Sequence, residues 1–230
     1  MEKDISKMIE PRTISMLNEA IEREYSWRIS ELSNFKSSLL SEGIDKAQKA
    51  KIRAGVALLY AHWEGFVKNV ANLYYSHVSF QNINIKDLND AFVSILLRGE
   101  LHELTNSKSL KIHQRIVNEI LSATNNKANF PSNSPIRTSN LRFSVFEDVC
   151  ILIAVDPNEF ETRYKRDFDR SLELTINEDL VDVRNSIAHG VYFPVKLEEF
   201  KKLYDIVVNG FLYNFKEIVL DSAQNKKYLR

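Results

Sequence analysis

From Pro11 to about Leu40, apolar residues return every three or four positions: Ile14, Leu17, Ile21, Tyr25, Ile29, Leu32, Phe35 and Leu39. Each residue advances about 100° around a helix axis, so this spacing builds one apolar stripe and predicts a long amphipathic helix. Pro11 suits its first turn, where an amide hydrogen would have no partner, and Gly43 punctuates its end. A second stripe, Val56, Leu59, Tyr60, Trp63, Phe66, Val67, Val70, Leu73 and Tyr74, predicts a helix over about 45–79. Its Glu64 stands four residues before Lys68, the favourable order for an ion pair on one face. Shorter helices are expected over 86–104 and 108–124. Residues 125–143, rich in asparagine, serine and proline, have no apolar period and read as a disordered loop or a crossing between domains. Helix resumes over about 144–154. Asp156 and Pro157 then open a short helix as cap and first turn. A helix over about 177–188 stops at Gly190, and the last, over about 197–222, turns Phe200, Tyr204, Val207, Phe211, Phe215 and Ile218 inward. No segment alternates as a strand does, so the class is all-α.

Composition narrows the picture without changing it. The chain has 230 residues, 44% hydrophobic and 27% charged, which is ordinary for a globular fold able to build a core. Glycine (6) and proline (5) are scarce, in keeping with long helices. Basic and acidic residues balance at 31 each, which argues against a general nucleic-acid coat but not against a local basic groove. Two basic stretches stand out: Lys46, Lys49, Lys51 and Arg53, and a middle region with Lys108, Lys111, Arg115, Lys127, Arg137 and Arg142. A lone Cys150 gives neither a disulfide framework nor a cysteine metal cluster, and fits a cytoplasmic protein. The charged start Met1-Glu2-Lys3-Asp4 reads as no signal peptide. No stretch approaches the roughly 18 to 20 apolar residues of a membrane span.

Known chemical motifs are missing: no glycine-rich phosphate loop, no H-E-x-x-H, no G-x-S-x-G. The five histidines are dispersed, and none pairs with another at metal-ligand spacing, so neither metal nor cofactor is expected. Attention falls on Asp182-Val183-Arg184-Asn185-Ser186-Ile187-Ala188-His189-Gly190. On a helix, Asp182, Asn185, Ser186 and His189 share one side, while Leu180, Val183 and Ile187 face the core. Arg184 is about 140° from His189 around the axis, and a long guanidinium can swing back. An imidazole takes and gives protons near neutral pH, and a guanidinium holds a phosphate and stabilises charge developing on it. Arg and His before Gly also describe an ordinary helix end. In a chain with five histidines the Arg–His spacing arises about once by chance.

The residues around that spacing carry more. Arg184-Asn185-Ser186-Ile187-Ala188-His189-Gly190 resembles the R-x4-6-H signature of the HEPN superfamily, with Asn after Arg and a small residue before His. Leu58-Leu59-Tyr60-Ala61-His62-Trp63-Glu64-Gly65-Phe66-Val67-Lys68 resembles the Y-x-x-W/F-E-x-F-x-K helix of a bacterial branch of stand-alone HEPN-like nucleases. The order of blocks also agrees, and the resemblance covers most of residues 45–222. It implies an antiparallel helical bundle, a single domain over 1–230 with extra helices and a loop inserted at about 81–143. It also implies a homodimer in which the motif helices of both chains meet at a cleft.

The activity it implies is metal-independent RNA cleavage by 2′-hydroxyl attack, in a toxin or defence effector. His189 would transfer protons, Arg184 would hold the scissile phosphate, and Asn185 would position the pair. Glu64, Lys68, Ser186 and Tyr192 are the substrate-binding candidates. Some toxin members have a tyrosine two positions after the histidine, whereas Tyr192 is three positions after. Partners implied are RNA, a second copy of the chain, and an antitoxin or other partner protein. An alternative stays open: a non-catalytic HEPN module that binds RNA, a nucleotide or a partner protein. In a blander one still, residues 184–190 only end a helix in an interaction scaffold.

Overall fold

Stripes spaced at three and four residues can bury themselves only against other helices, and the computed structural model shows how they do so. It describes residues 10–40, 46–131 and 133–230, so the charged start at Met1, the side chain of Lys46 and the break at Gly43 lie outside it. Helix α1 spans Ile14–Leu40 and α2 spans Lys46–Ser79. Contacts between Pro11 and His77, Glu24 and Asn69, and Leu39 and Gln48 step in opposite directions along the two, so they are antiparallel. Shorter helices α3 (Asp90–Leu96), α4 (Arg98–Asn106), α5 (Leu110–Ala123), α6 (Phe143–Leu152) and α7 (Pro157–Tyr164) follow. Helix α8 covers 172–188 and α9 covers 197–224. The architecture is an all-α antiparallel helical bundle, and no strand occurs among the described residues beyond isolated bridges.

The core forms where α2, α6, α7 and α9 converge. Trp63 is fully buried, with Phe146, Phe211 and Phe215 ring centroids at 5.3, 4.9 and 6.1 Å. Gly55 makes the next layer possible: a Cβ there would lie 2.6 Å from the rings of both Phe35 and Phe200, so only glycine lets α1 and α9 close onto α2. The α2 stripe expected from sequence is buried throughout except Leu73, which is partly covered.

Three expectations are corrected. The helix expected over 86–104 is broken: a turn of 3₁₀ helix at Ile85–Asp87 precedes α3, whose N-terminus is capped by Asn89 accepting from the Ala91 amide at 3.0 Å. An asparagine that caps a helix necessarily ends the preceding segment. Helix α8 begins five residues before the expected start, with Leu172, Ile176 and Leu180 buried one below another. The stretch 125–143, read as a disordered loop or domain crossing, instead packs onto the bundle. Ile136 and Leu141 are buried, and Phe130 meets Tyr75 at 5.4 Å.

Both long C-terminal helices contain a π-helical stretch, Thr175–Asp182 in α8 and Ile206–Leu212 in α9. Such turns are rare and recur near functional sites. The one in α8 ends at Asp182, two residues before Arg184.

Candidate functional site

The motif lies on the last turns of α8, which run antiparallel to α2 and leave Arg184 facing Tyr60 and Glu64. The Arg184 guanidinium stacks 3.8 Å from the centre of the Tyr60 ring. Its approach to the Glu64 carboxylate is also 3.8 Å, too long for a hydrogen bond but close enough for charge attraction. The ring face is therefore the tighter contact, worth about 0.5–2 kcal/mol depending on how dry it is. Arg184 and Glu64 are each about three-quarters covered, and the Arg184 Nε is buried with no hydrogen-bond partner among the described residues.

Tyr60 is held from two sides. Its hydroxyl accepts from the Leu141 amide at 2.8 Å and is hydrogen-bonded with Glu64. Burial first, and then the Glu64 carboxylate, push its ionisation up to about 12, so it stays a neutral donor. The Leu141 end of the 125–143 segment is thereby fastened to the site. Further ties come from α8: Asn177 accepts from the Phe143 amide at 2.9 Å, Asp182 pairs with Arg142 at 2.5 Å, and Asn140 accepts weakly from Asn185 at 3.4 Å.

Helix α8 stops in a Schellman motif. The Val191 amide donates to the Ser186 carbonyl at 2.9 Å and the Gly190 amide to Ile187 at 3.1 Å, with Gly190 at φ 74°. His189 thus occupies the helix tip. Its ring is exposed and has no hydrogen bond or ion pair among the described residues. The Ser186 hydroxyl donates back to the Asp182 carbonyl at 2.9 Å. Beyond the tip, Val191, Tyr192 and Phe193 form a run of exposed apolar side chains, Tyr192 at 75% exposure. Arg53 of α2 donates to the Val191 carbonyl at 3.0 Å and lies 5.7 Å from the Tyr192 ring, fixing this run to the bundle.

Arg184 and Glu64 are thus brought together beside Tyr60, Asn185 meets Asn140, and His189 stands exposed at the end of α8, with Lys68 two helical turns along α2 from Tyr60. No hydrogen bond joins Arg184 to His189 among the described residues. The expected Glu64–Lys68 ion pair is not formed there; the Glu64 charge is turned to Arg184 and Tyr60, leaving Lys68 exposed and free of acidic partners among the described residues. Sequence reasoning missed Arg53 as a positioning residue and the binding of Arg142 to Asp182. It read Tyr60 as core and part of a family block, not as the platform under Arg184. The i, i+4, i+7, i+11 series Arg53, Ala57, Tyr60, Glu64 is a signal that could have placed them on one face.

Other polar residues have structural explanations. His62 and His77 are buried; His62 lies 3.2 Å from Glu31 and His77 Nδ1 donates to the Pro11 carbonyl at 2.8 Å. Burial pushes the Cys150 thiol well up, so it is not a ready nucleophile. Among the described residues, no group of three or more His, Cys, Asp or Glu side chains is placed to hold a metal ion, and no helix is long and apolar enough to cross a membrane.

Against known proteins, a family model described as HEPN_MAE_28990-like HEPN matches residues 17–228. No curated protein and no solved structure gives a significant match.

Proposed function

The chain belongs to the HEPN family, and from that premise we propose that it is a metal-independent endoribonuclease working as a homodimer, in a toxin or defence role. One observation carries the reading: Arg184 is held half-dry on Tyr60 and Glu64 while His189, five residues on, is exposed and uncommitted at the same helix tip. A preset cation and a free proton carrier are what phosphodiester cleavage needs.

In the proposed reaction the ribose 2′-oxygen forms a bond to the adjacent phosphorus as the bond from phosphorus to the 5′-oxygen breaks. One His189 takes the 2′-hydroxyl proton, and the His189 of the second chain gives a proton to the departing 5′-oxygen. Arg184 neutralises charge gathering on the phosphoryl oxygens. Asn185 orients the pair by hydrogen bonding, and Ser186 and Tyr192 contact the strand beside it. A twofold axis supplies two histidines from one sequence position. The exposed run Val191-Tyr192-Phe193 supports a second copy seating at this end of α8.

Incubating the purified protein with total RNA in EDTA, beside His189→Ala, tests this. Cleavage by the parent alone, ending in 2′,3′-cyclic phosphates, is expected; cleavage that requires added metal overturns the mechanism. A second reading, a non-catalytic module that binds RNA, a nucleotide or a partner protein, is favoured by the engagement of Arg184 with Glu64 and Tyr60 rather than with His189. Binding of RNA without cleavage by either protein would favour it.

A further inference from the structure

Of the six cations in the basic middle region three are engaged, and Lys108 and Lys111 stand exposed at the start of α5. Arg115 is locked between Glu103 and Glu119 at 2.5 and 2.8 Å, Arg142 is paired with Asp182, and Lys127 donates to the Asn82 carbonyl at 2.7 Å. Arg137 is different. It is exposed and donates to the Ser134 and Ile136 carbonyls, but among the described residues it meets no carboxylate. It reaches a cleft of about 460 Å³ between α2 and residues 136–139, whose α2 wall carries Glu64 and Lys68. Two unpaired cations therefore share one concavity, and its single acid is already facing Arg184.

We propose that this cleft is a nucleotide subsite, in which Lys68 and Arg137 hold backbone phosphates of an RNA strand to one side of Arg184. The inference rests on the RNA reading above and adds a path for the strand. The volume is in the range of small-ligand sites, roughly 300–1,000 Å³. Arg137 and Ser139 also line a second cleft of about 530 Å³ against α3 and α6, whose wall carries Asp148. Lys68 stands four residues from Glu64 and eight from Tyr60 along α2, about 6 and 12 Å, so it meets the strand beside Arg184 rather than at it. Phosphates contacted at that reach are not the one being cleaved, so these residues govern binding and leave the reacting atoms to Arg184 and His189.

The test uses the full chain and a fluorescein-labelled, mixed-sequence 2′-O-methyl RNA, whose blocked hydroxyls make it uncleavable. Fluorescence anisotropy is read across a salt series. Lys68→Ala and Arg137→Ala should each raise Kd about three- to tenfold and reduce the slope of log K against log salt by about 0.7, the value of one phosphate contact on a single strand. Lys165→Ala, which removes a cation paired with Glu161 on α7, should bind as the parent does. Both exposed residues can be replaced without disturbing the core, and thermal melts verify it. Parent-like Kd and slope in both variants, or no binding by the parent, overturn the subsite. If binding depends on both cations yet total RNA is never cut, the subsite stands and the nuclease reading falls. If RNA is cut while binding ignores both cations, the reverse holds.

Discussion

At the scale of single residues, Arg184 is held by Tyr60 and Glu64 while His189 is left exposed. Replacing Arg184 by Ala should slow RNA cleavage at least about a hundredfold, the usual loss when one preset donor to a developing anion is removed. Tyr60→Phe leaves the ring under Arg184 but strands the Leu141 amide and unties Glu64. It should cost about 1–3 kcal/mol by denaturant titration and slow cleavage less than Arg184→Ala does. Gly190→Ala forces a side chain into φ 74° and should cost about 1–2 kcal/mol. In a chain of this length that lowers Tm by roughly 2–8 °C. The helix stop at Gly190, and the places of Arg184, Asn185 and His189 ahead of it, were legible in the sequence because a helix end is local. The surroundings of Arg184 were not: its platform lies more than a hundred residues earlier on another helix, and no local spacing announces it.

At the scale of elements, periodicity served well where one side of a helix is buried and the other wet. The stripes of α1 and α2 came through with few changes, and Trp63 and Phe66 lie in the core as expected. Trp63→Ala should cost about 3–5 kcal/mol in chemical denaturation, since four aromatic neighbours on three helices cannot all collapse into the space. Periodicity failed where a cap intervenes, as at Asn89, and where the helical repeat itself changes, as in the π-helical part of α8. It also failed for 125–143, whose anchors come from α2 and α8 rather than from its own pattern. Arg53 joins α2 to the segment after His189. Arg53→Ala should therefore lower the cleavage rate about tenfold or more, because small misplacements of reacting groups are costly, while leaving Tm nearly unchanged. Recovery in Arg53→Lys would point to the tether itself.

At the scale of the whole molecule, the buried histidines make stability depend on pH. Burial lowers the ionisation of both His62 and His77 from the ordinary 6.5. The unfolded chain therefore binds more protons just below that value, and stability must fall as pH drops through it. Tm should be lower at pH 5.5 than at pH 7.5, and His77→Gln, which keeps a donor for the Pro11 carbonyl, should flatten the decline. Sequence alone indicated the bundle and the family; it could not show that α2, α8 and the 136–143 segment frame one polar region, since that is a property of packing. The central claim is that this region cleaves RNA through the neighbouring 2′-hydroxyl. The most direct measurement compares an RNA with the same sequence carrying 2′-deoxyribose, both in EDTA, with fragment ends read by mass spectrometry. Cleavage of the RNA alone, leaving 2′,3′-cyclic phosphate and 5′-hydroxyl ends, is the predicted result. Equal cutting of the deoxy strand, or 3′-hydroxyl and 5′-phosphate ends, would contradict it.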